Sequence, residues 1–514
     1  MHLLKGIRKD SELWLLLLAI IFRLLLLNFN SAEWGDTYRI LRAAELSRTE
    51  FYPQDEKRPP LLSLLISFHP NNMDPLLFGR YVLAFFSVIS LILFYIYLKK
   101  YIKTTEYRII GLLLFLFNPI YLYWSLRVYA DVVFSVYVLF VGVLIHQASL
   151  LSNKKYLMLL GFITAFSITL RFEGYILIAS LLLFIFFKDY PKLNIKNAVI
   201  ASIGVASVVF PYIIFRNPLN SSYLDEPAGR TYNLMTLWVY FVSLFYSLGV
   251  IYAPAVLIIS RKVIMRFLYN NLFILFFLSL SLVLILLWPA AIPRLFVSAI
   301  PFLILSFVIS LESLKNIKIN KQMFVIVGIT LIGLFAFSQF ILKLQFLLVI
   351  KWVFALVIIV NLVSLFLYYV DKKVYSYVLI VISCIIWSLA TLYIHKDIYK
   401  SLADASQYLA RNGKGLVIHN DINSVAEWYI NYYPYRKWSM KSDFENIKLN
   451  PSVLNPTNLK SYNVRFVLVT NEQDPSWWPD LSKKPYLEEI KLFRYNVNGS
   501  TFTTAVYKVR SEYL

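Results

Sequence analysis

A single cysteine, Cys384, stands in the whole 514-residue chain, so no disulfide can form within it and its redox compartment stays open. Charge is scarce too: Asp, Glu, Lys and Arg make up 15% of residues, where a soluble globular chain carries about 25%. Histidines number five, and His69 and His146 have no partner at metal-ligand spacing, so they read as packing or loop residues. No internal repeat and no low-complexity linker interrupt the chain. No small-residue cleavage site follows the first apolar run, which therefore reads as a first span and not as a removable signal. What fills the chain is apolar: 59% hydrophobic and 17% aromatic, sustained from Glu12 to about His395. That pattern is the signature of a polytopic membrane protein. The net charge of +21 does not indicate nucleic-acid binding, because the bases are spread over many short loops, where orientation in a membrane requires them.

Apolar runs near 12–28, 77–98, 107–124, 129–150, 156–170, 174–188, 197–215, 233–259, 269–288, 293–311, 322–341, 347–370 and 374–394 give thirteen expected spans. Each should be helical, since backbone groups must be paired in lipid. With a cytoplasmic N-terminus, alternate loops collect the bases: Lys99, Lys100, Lys103 and Arg108; Lys154 and Lys155; Lys188, Lys192 and Lys196; Arg261, Lys262 and Arg266; Lys372 and Lys373. The opposite loops hold few, which places the tail from Lys396 outside. The exception is the first outer loop, 29–76, with Arg39, Arg42, Arg48, Lys57 and Arg58. Its stretch "TYRILRAAELSRTEF" has helical spacing and is expected along the membrane surface. The expectation is thus a membrane domain over 1–395 and a small extracytoplasmic α/β domain over 396–514. The latter has strand-like runs "GLVIHND", "VRFVLVTNE", "EIKLFRYNV" and "FTTAVYKVR" after a helical "SLADASQYLARN".

The ionisable groups expected at outer helix ends are Asp36; Asp55, Glu56, Lys57 and Arg58; Arg127 and Asp131; Arg171 and Glu173; Arg216, Asp225, Glu226 and Arg230; and Arg294. Charge at membrane depth costs a few kcal/mol per group, so such residues tend to mark function. Carboxylates among cations suit transfer from a phosphate-activated donor. A carboxylate takes the proton of an acceptor hydroxyl, and cations hold the phosphate and stabilise the leaving group. Asp36 suits the base, and Lys57 and Arg58, with Arg294 and Arg230, suit the phosphate. Asp131 suits orientation of the acceptor, a share of the base role or a metal, and Glu56, Arg127, Arg171 and Glu173 are supporting groups. A divalent cation is left open as a cofactor, since Asp36, Asp131 and Glu56 offer ligands at no fixed spacing. Structural readings stand beside these. Asp36 also reads as a helix cap, Asp131 as the partner of Arg127 one turn earlier, "RFEG" as a tight loop with an Arg–Glu pair, and Arg294 as an interfacial anchor.

The ordered set "GDTYRILRAAEL", "DEKRPPLLSLL", "GRYVLAFFSVISLILFYIYLKKY", "FNPIYLYWSLRVYADVVFSVYVLF", "TLRFEGYILI" and "PRLFVSAIPFLILS" resembles the GT-C membrane glycosyltransferases. Among them it is similar to protein O-mannosyltransferases, the lipid A aminoarabinose transferase and related family 39 proteins. The resemblance covers about residues 10–310 in order. It implies an inverting sugar transfer from a polyprenyl-phosphate donor in the cell membrane to a lipid, glycan or protein acceptor, with Asp36 as base and Asp131 as the second acid. The family's base before a proline falls on Lys57 or Arg58: relatives read Glu-Lys-Pro, and this chain reads Glu56-Lys57-Arg58-Pro59-Pro60. A multi-pass transporter or lipid flippase is the alternative; it would show charges at the bilayer midplane and broken helices in matching halves.

Overall fold

The computed structural model describes residues 11–53, 56–147, 151–189, 191–216, 234–288, 293–316, 321–341, 351–412, 415–421, 424–432, 454–472, 481–497 and 500–513. Asp55, Asp225, Glu226, Arg230 and the tryptophan pair Trp477 and Trp478 lie outside the described residues. By internal packing the chain divides into two units. The first holds residues 1–27, 54–62 and 81–392; the second holds 28–53, 63–80 and 393–514.

The helices up to residue 216 are α1 Ser11–Leu25, α2 Gly35–Thr49, α3 Leu61–Ser67, α4 Pro75–Tyr101, α5 Thr105–Leu116, α6 Pro119–Ser125, α7 Ala130–Ile145, α8 Lys154–Ala165, α9 Gly174–Phe187 and α10 Ile195–Arg216. There follow α11 Leu234–Ser247, α12 Ala253–Ile259, α13 Arg261–Asn270, α14 Leu272–Leu287, α15 Ile300–Ser313, α16 Lys321–Ala336, α17 Lys351–Tyr369 and α18 Lys373–His395. Each of the thirteen apolar runs meets a helix. Among the described residues five helices are long and apolar enough to cross a membrane, or seven when two bent pairs each count as one span. The remaining apolar runs form shorter helices, such as α7, α9 and α15. The protein is a polytopic helical membrane protein.

Inside the first unit, α8 and α10 meet at glycines. A Cβ on Gly161 would fall 2.1 Å from the Ala201 carbonyl oxygen, and one on Gly204 would fall 1.9 Å from that of Met158. Small residues are what let two membrane helices approach this closely. Between α5 and α6 the path bends by 54°. Asn118 caps α6, its side chain accepting from Tyr121 N, ahead of Pro119. The bend frees carbonyls that lipid cannot satisfy. The Arg23 guanidinium donates to Leu116 O at 3.1 Å, and Ser388 donates to Phe117 O. On the lysine-rich side Arg108 pairs with Glu12 at 2.6 Å, and Glu312 accepts from Thr104 N at 3.0 Å. These acids fall away from the outer-end set and do structural jobs.

In the second unit α2 is a helix as its spacing predicts. Its Tyr38, Leu41, Ala43 and Ala44 are fully buried, so that side is covered by protein and not laid on a membrane surface. The expected strands form a four-stranded sheet in the order β1-β2-β4-β3, with β1 Leu416–His419, β2 Val464–Thr470, β3 Leu487–Val497 and β4 Ser500–Val509. β1 and β2 run parallel and the other pairs antiparallel. Period-2 alternation sends Val467, Val469, Ala505, Tyr507 and Val509 into one core cluster. On the other face Thr504 meets Ser401 of α19 Lys400–Asn412 at 2.9 Å.

Glu472, just past β2, accepts from Tyr399 N at 3.0 Å and Ser401 Oγ at 2.7 Å. Burial pushes its carboxyl from the ordinary 4.5 up to about 7. Between those two values the unfolded chain ionises first, so stability falls as pH rises and levels off above about 7. Glu472→Gln keeps an amide oxygen for Tyr399 N–H. The variant should match wild type near about pH 4 and exceed it by on the order of 2 kcal/mol near about pH 8. Thermal unfolding at the two pH values checks this, and equal stabilities at both would refute it.

Candidate active site

The first unit gathers its charges where α7 and α9 begin. Asp131 is the second residue of α7, where unsatisfied backbone N–H groups favour a carboxylate. It is 3% exposed. The turn before α9 supplies Arg171, whose guanidinium pairs with Asp131 and also forks Glu173, Nε to Oε2 at 2.9 Å. That turn folds back on residues 166–169, and Gly174 permits it: a Cβ there would sit 2.5 Å from Ser167 C and Ile168 N. Arg294, in the short turn Pro293–Phe296, brings Nε to 3.6 Å from Asp131 Oδ1. Its guanidinium lies over the rings of Trp124 and Tyr129, 5.3 and 5.0 Å from their centres. Asp131 Oδ2 is buried with no hydrogen-bond partner among the described residues.

Arg127 does not form the expected pair with Asp131. α7 starts at Ala130 behind an extended Tyr129, so no helical turn runs from Arg127 to Asp131. Arg127 is fully buried and lies 5.2 Å from the centre of the Tyr123 ring. "RFEG" is the tight turn with an Arg–Glu pair that the sequence suggests, and the pair also holds Asp131. Arg294 is 18% exposed beside Asp131, which is more than an interfacial anchor requires.

The basic stretch before α3 lies in the same unit. Arg58 turns back on Glu56, its backbone N and guanidinium donating to Oε1 at 3.0 and 2.9 Å. Arg216, at the end of α10, donates to the carbonyls of Glu56 and Arg58, the latter at 3.3 Å, and so fixes the turn. Lys57 is half-buried within it. Among the described residues no three His, Cys, Asp or Glu side chains gather closely enough to hold a metal ion.

Asp36 belongs to the second unit, in the first turn of α2. It is not the cap: that position is Trp34, which makes no side-chain capping bond. The segment leading to it is firmly held. Arg80 binds Glu33 Oε1 with Nε at 3.0 Å and Asn30 O at 2.8 Å. Ser31 donates to Asp397 at 2.6 Å, and Trp34 packs edge-on against Tyr399. Tyr38, two residues on, takes the Glu33 N–H at 3.2 Å and meets the Tyr429 hydroxyl at 3.4 Å. Arg80 and Glu33 are the anchors that sequence reasoning missed; the signal was an arginine inside an otherwise apolar run and an acid three residues before Asp36. His69, read as a loop residue, sits between Glu45 and Arg48.

Comparison with protein-family models finds no match, and comparison with curated protein sequences finds none either. Solved structures do match. ArnT from Cupriavidus metallidurans bound to undecaprenyl phosphate superposes with a TM-score of 0.63 at 10% identity, covering 97% of this chain and 98% of that one. The same protein in the apo state gives 0.61 at 10% identity, over 96% and 97%. The chain therefore has the fold of ArnT over nearly its whole length.

Breaking the buried cluster should be costly. Arg171→Ala leaves Asp131 with only the longer contact to Arg294, at 3.6 Å, and should destabilise the protein by about 3–5 kcal/mol. The triple variant Asp131→Asn, Arg171→Gln, Glu173→Gln, which removes both carboxylates together with the cation they share, should recover most of that loss. Thermal unfolding in detergent decides; two equally destabilised variants would show that packing and not charge is at stake.

Proposed function

We propose that this chain is a GT-C-type membrane glycosyltransferase that moves a sugar from a polyprenyl-phosphate donor to an extracytoplasmic acceptor with inversion. The observation that carries the reading is the cluster at the starts of α7 and α9, where Arg171 and Arg294 meet Asp131 and Glu173 and Asp131 Oδ2 has no hydrogen-bond partner among the described residues. The spare acceptor suits a hydroxyl, and guanidinium groups beside it suit an anion. The ArnT likeness, one of its structures holding undecaprenyl phosphate, supports a phosphate on a lipid.

In this reading Arg294 and the Lys57–Arg58 stretch take the donor phosphate, with Arg230 a further candidate. Arg171 is committed to its two carboxylates and positions Asp131. Asp131 Oδ2 orients a hydroxyl of sugar or acceptor. Asp36 takes the proton as the acceptor oxygen attacks the anomeric carbon; the bond from that carbon to phosphate oxygen breaks, and polyprenyl phosphate leaves with the electron pair. The cations stabilise that leaving charge. The lysine-rich loops face the cytoplasm, and residues 396–514 lie outside.

Purified protein supplied with host lipid extract and radiolabelled sugar lipid tests the reading. Wild type should transfer label, folded Asp36→Asn should be inactive, and Arg294→Ala should lose roughly 10²-fold in rate. Full turnover by Asp36→Asn would remove it as base. Label crossing the bilayer of proteoliposomes with no bond made would replace the transferase with the lipid flippase.

A further inference from the structure

The second concentration of polar and aromatic groups in the first unit lies at the far ends of the same helices. A cavity of about 830 Å³ opens between the C-terminal ends of α4, α7 and α9 and the start of α14. Along α7, sixteen residues long, it stands about 24 Å from the Asp131 cluster. It is therefore separate from the site proposed for transfer. Two ammonium groups reach its rim, on Lys100 and Lys188, both exposed. Its walls are aromatic, with half-buried Phe184, Phe187 and Phe276. Its floor is ordered: Tyr101 hydroxyl meets His146 Nε2 at 3.0 Å and donates to Asn271, whose own amide donates to Phe267 O at 2.8 Å.

The neighbouring helix points to a lipid source. α13 and α14 pass together as a span yet are bent by 109° at Asn271. With α14 crossing the bilayer, that angle lays α13 along its surface. α13 has the composition for that position: Arg261, Lys262 and Arg266 are exposed, and Val263, Met265 and Tyr269 are exposed apolar or aromatic residues. Basic pockets between membrane helices on the lysine-rich side are suited to phospholipid headgroups. We propose that this cavity binds an anionic phospholipid, its phosphate between Lys100 and Lys188 and the start of its acyl chains against Phe184, Phe187 and Phe276. The site would tie α4, α7, α9 and α14 to the lipid of that leaflet.

Native mass spectrometry of the full chain in detergent tests this with added dioleoylphosphatidylglycerol, dioleoylphosphatidylcholine or inorganic phosphate. Wild type should retain the anionic lipid in preference to the zwitterionic one. Lys100→Met with Lys188→Met, which keeps the apolar stems, should weaken retention by about 30-fold, as expected for two lysines beside an anionic headgroup. Lys100→Arg with Lys188→Arg should restore it, and Lys154→Ala with Lys155→Ala, on the same side outside the cavity, should bind as wild type does. Undiminished retention by the methionine variant, or an equal loss in the Lys154 and Lys155 variant, would overturn the site in favour of diffuse surface charge. Inorganic phosphate bound as well as the lipid would overturn the lipid.

Discussion

The pairing of Asp131 with Arg171 is the interaction on which the arrangement of the first unit's charges depends. A buried carboxylate is tolerated only where a cation and hydrogen bonds compensate it. Asp131 has one such cation from the turn before α9 and a second, Arg294, from the turn at 293–296. Three segments distant in sequence are thereby tied at one point. Glu173 shares the same guanidinium, so the turn holding Arg171 cannot rotate without breaking two ion pairs. Gly174 completes the constraint by letting that turn lie against the backbone of 167–168. Around them the Trp124 and Tyr129 rings face Arg294, and the Tyr123 ring faces Arg127.

The same rule, that polar groups in an apolar surrounding must find partners, explains parts of the fold that composition leaves unexplained. Arg23 lies in the middle of an apolar run, yet a break elsewhere engages its two terminal nitrogens: Ser125 and the last carbonyl of α5 both accept from it. Asn118 closes the same break twice, capping α6 with its oxygen and donating its amide to Ser247 O at 2.8 Å. A broken helix in such a chain is thus stable where side chains of neighbouring helices replace the missing ladder. The α5–α6 bend carries Trp124 into reach of Arg294, so this repair of backbone bonds also shapes the candidate site.

Much of this was legible in the sequence, and the rest was hidden for identifiable reasons. Helices follow from apolar runs because lipid permits nothing else, and the four strands follow from alternation and β-branched content. Asp131, Arg171, Glu173 and Arg294 stood out singly, as charges at the ends of apolar runs. Their partnership did not, because it joins residues up to 163 apart, and the local alternative, Arg127 with Asp131, assumed a helix that starts three residues too late to support it. Arg80 went unnoticed for a similar reason: it stands out as an arginine in an apolar run, but its partners, Glu33 and Asn30, lie some fifty residues earlier. The grouping of 28–53 and 63–80 with the C-terminal part is likewise set by long-range packing, and composition changes only at residue 395.

Stability alone does not account for the cluster. A buried ion network commonly contributes less than well-packed apolar side chains of the same volume would, and this one leaves Asp131 Oδ2 without a hydrogen-bond partner among the described residues. Glu12 with Arg108 shows what a purely structural pair looks like in the same unit: one acid, one base, and further bonds from Tyr95 and Thr105 that satisfy both. The Asp131 cluster differs: one guanidinium is shared by two carboxylates, a second lies 3.6 Å from the central one, and that carboxylate has an acceptor oxygen to spare. A spare acceptor beside guanidinium groups suits a hydroxyl next to an anion. A sugar joined to a lipid through phosphate presents both within a few ångströms. A flippase would need the cations without the spare acceptor, so the proposed transferase uses more of the cluster than a flippase would.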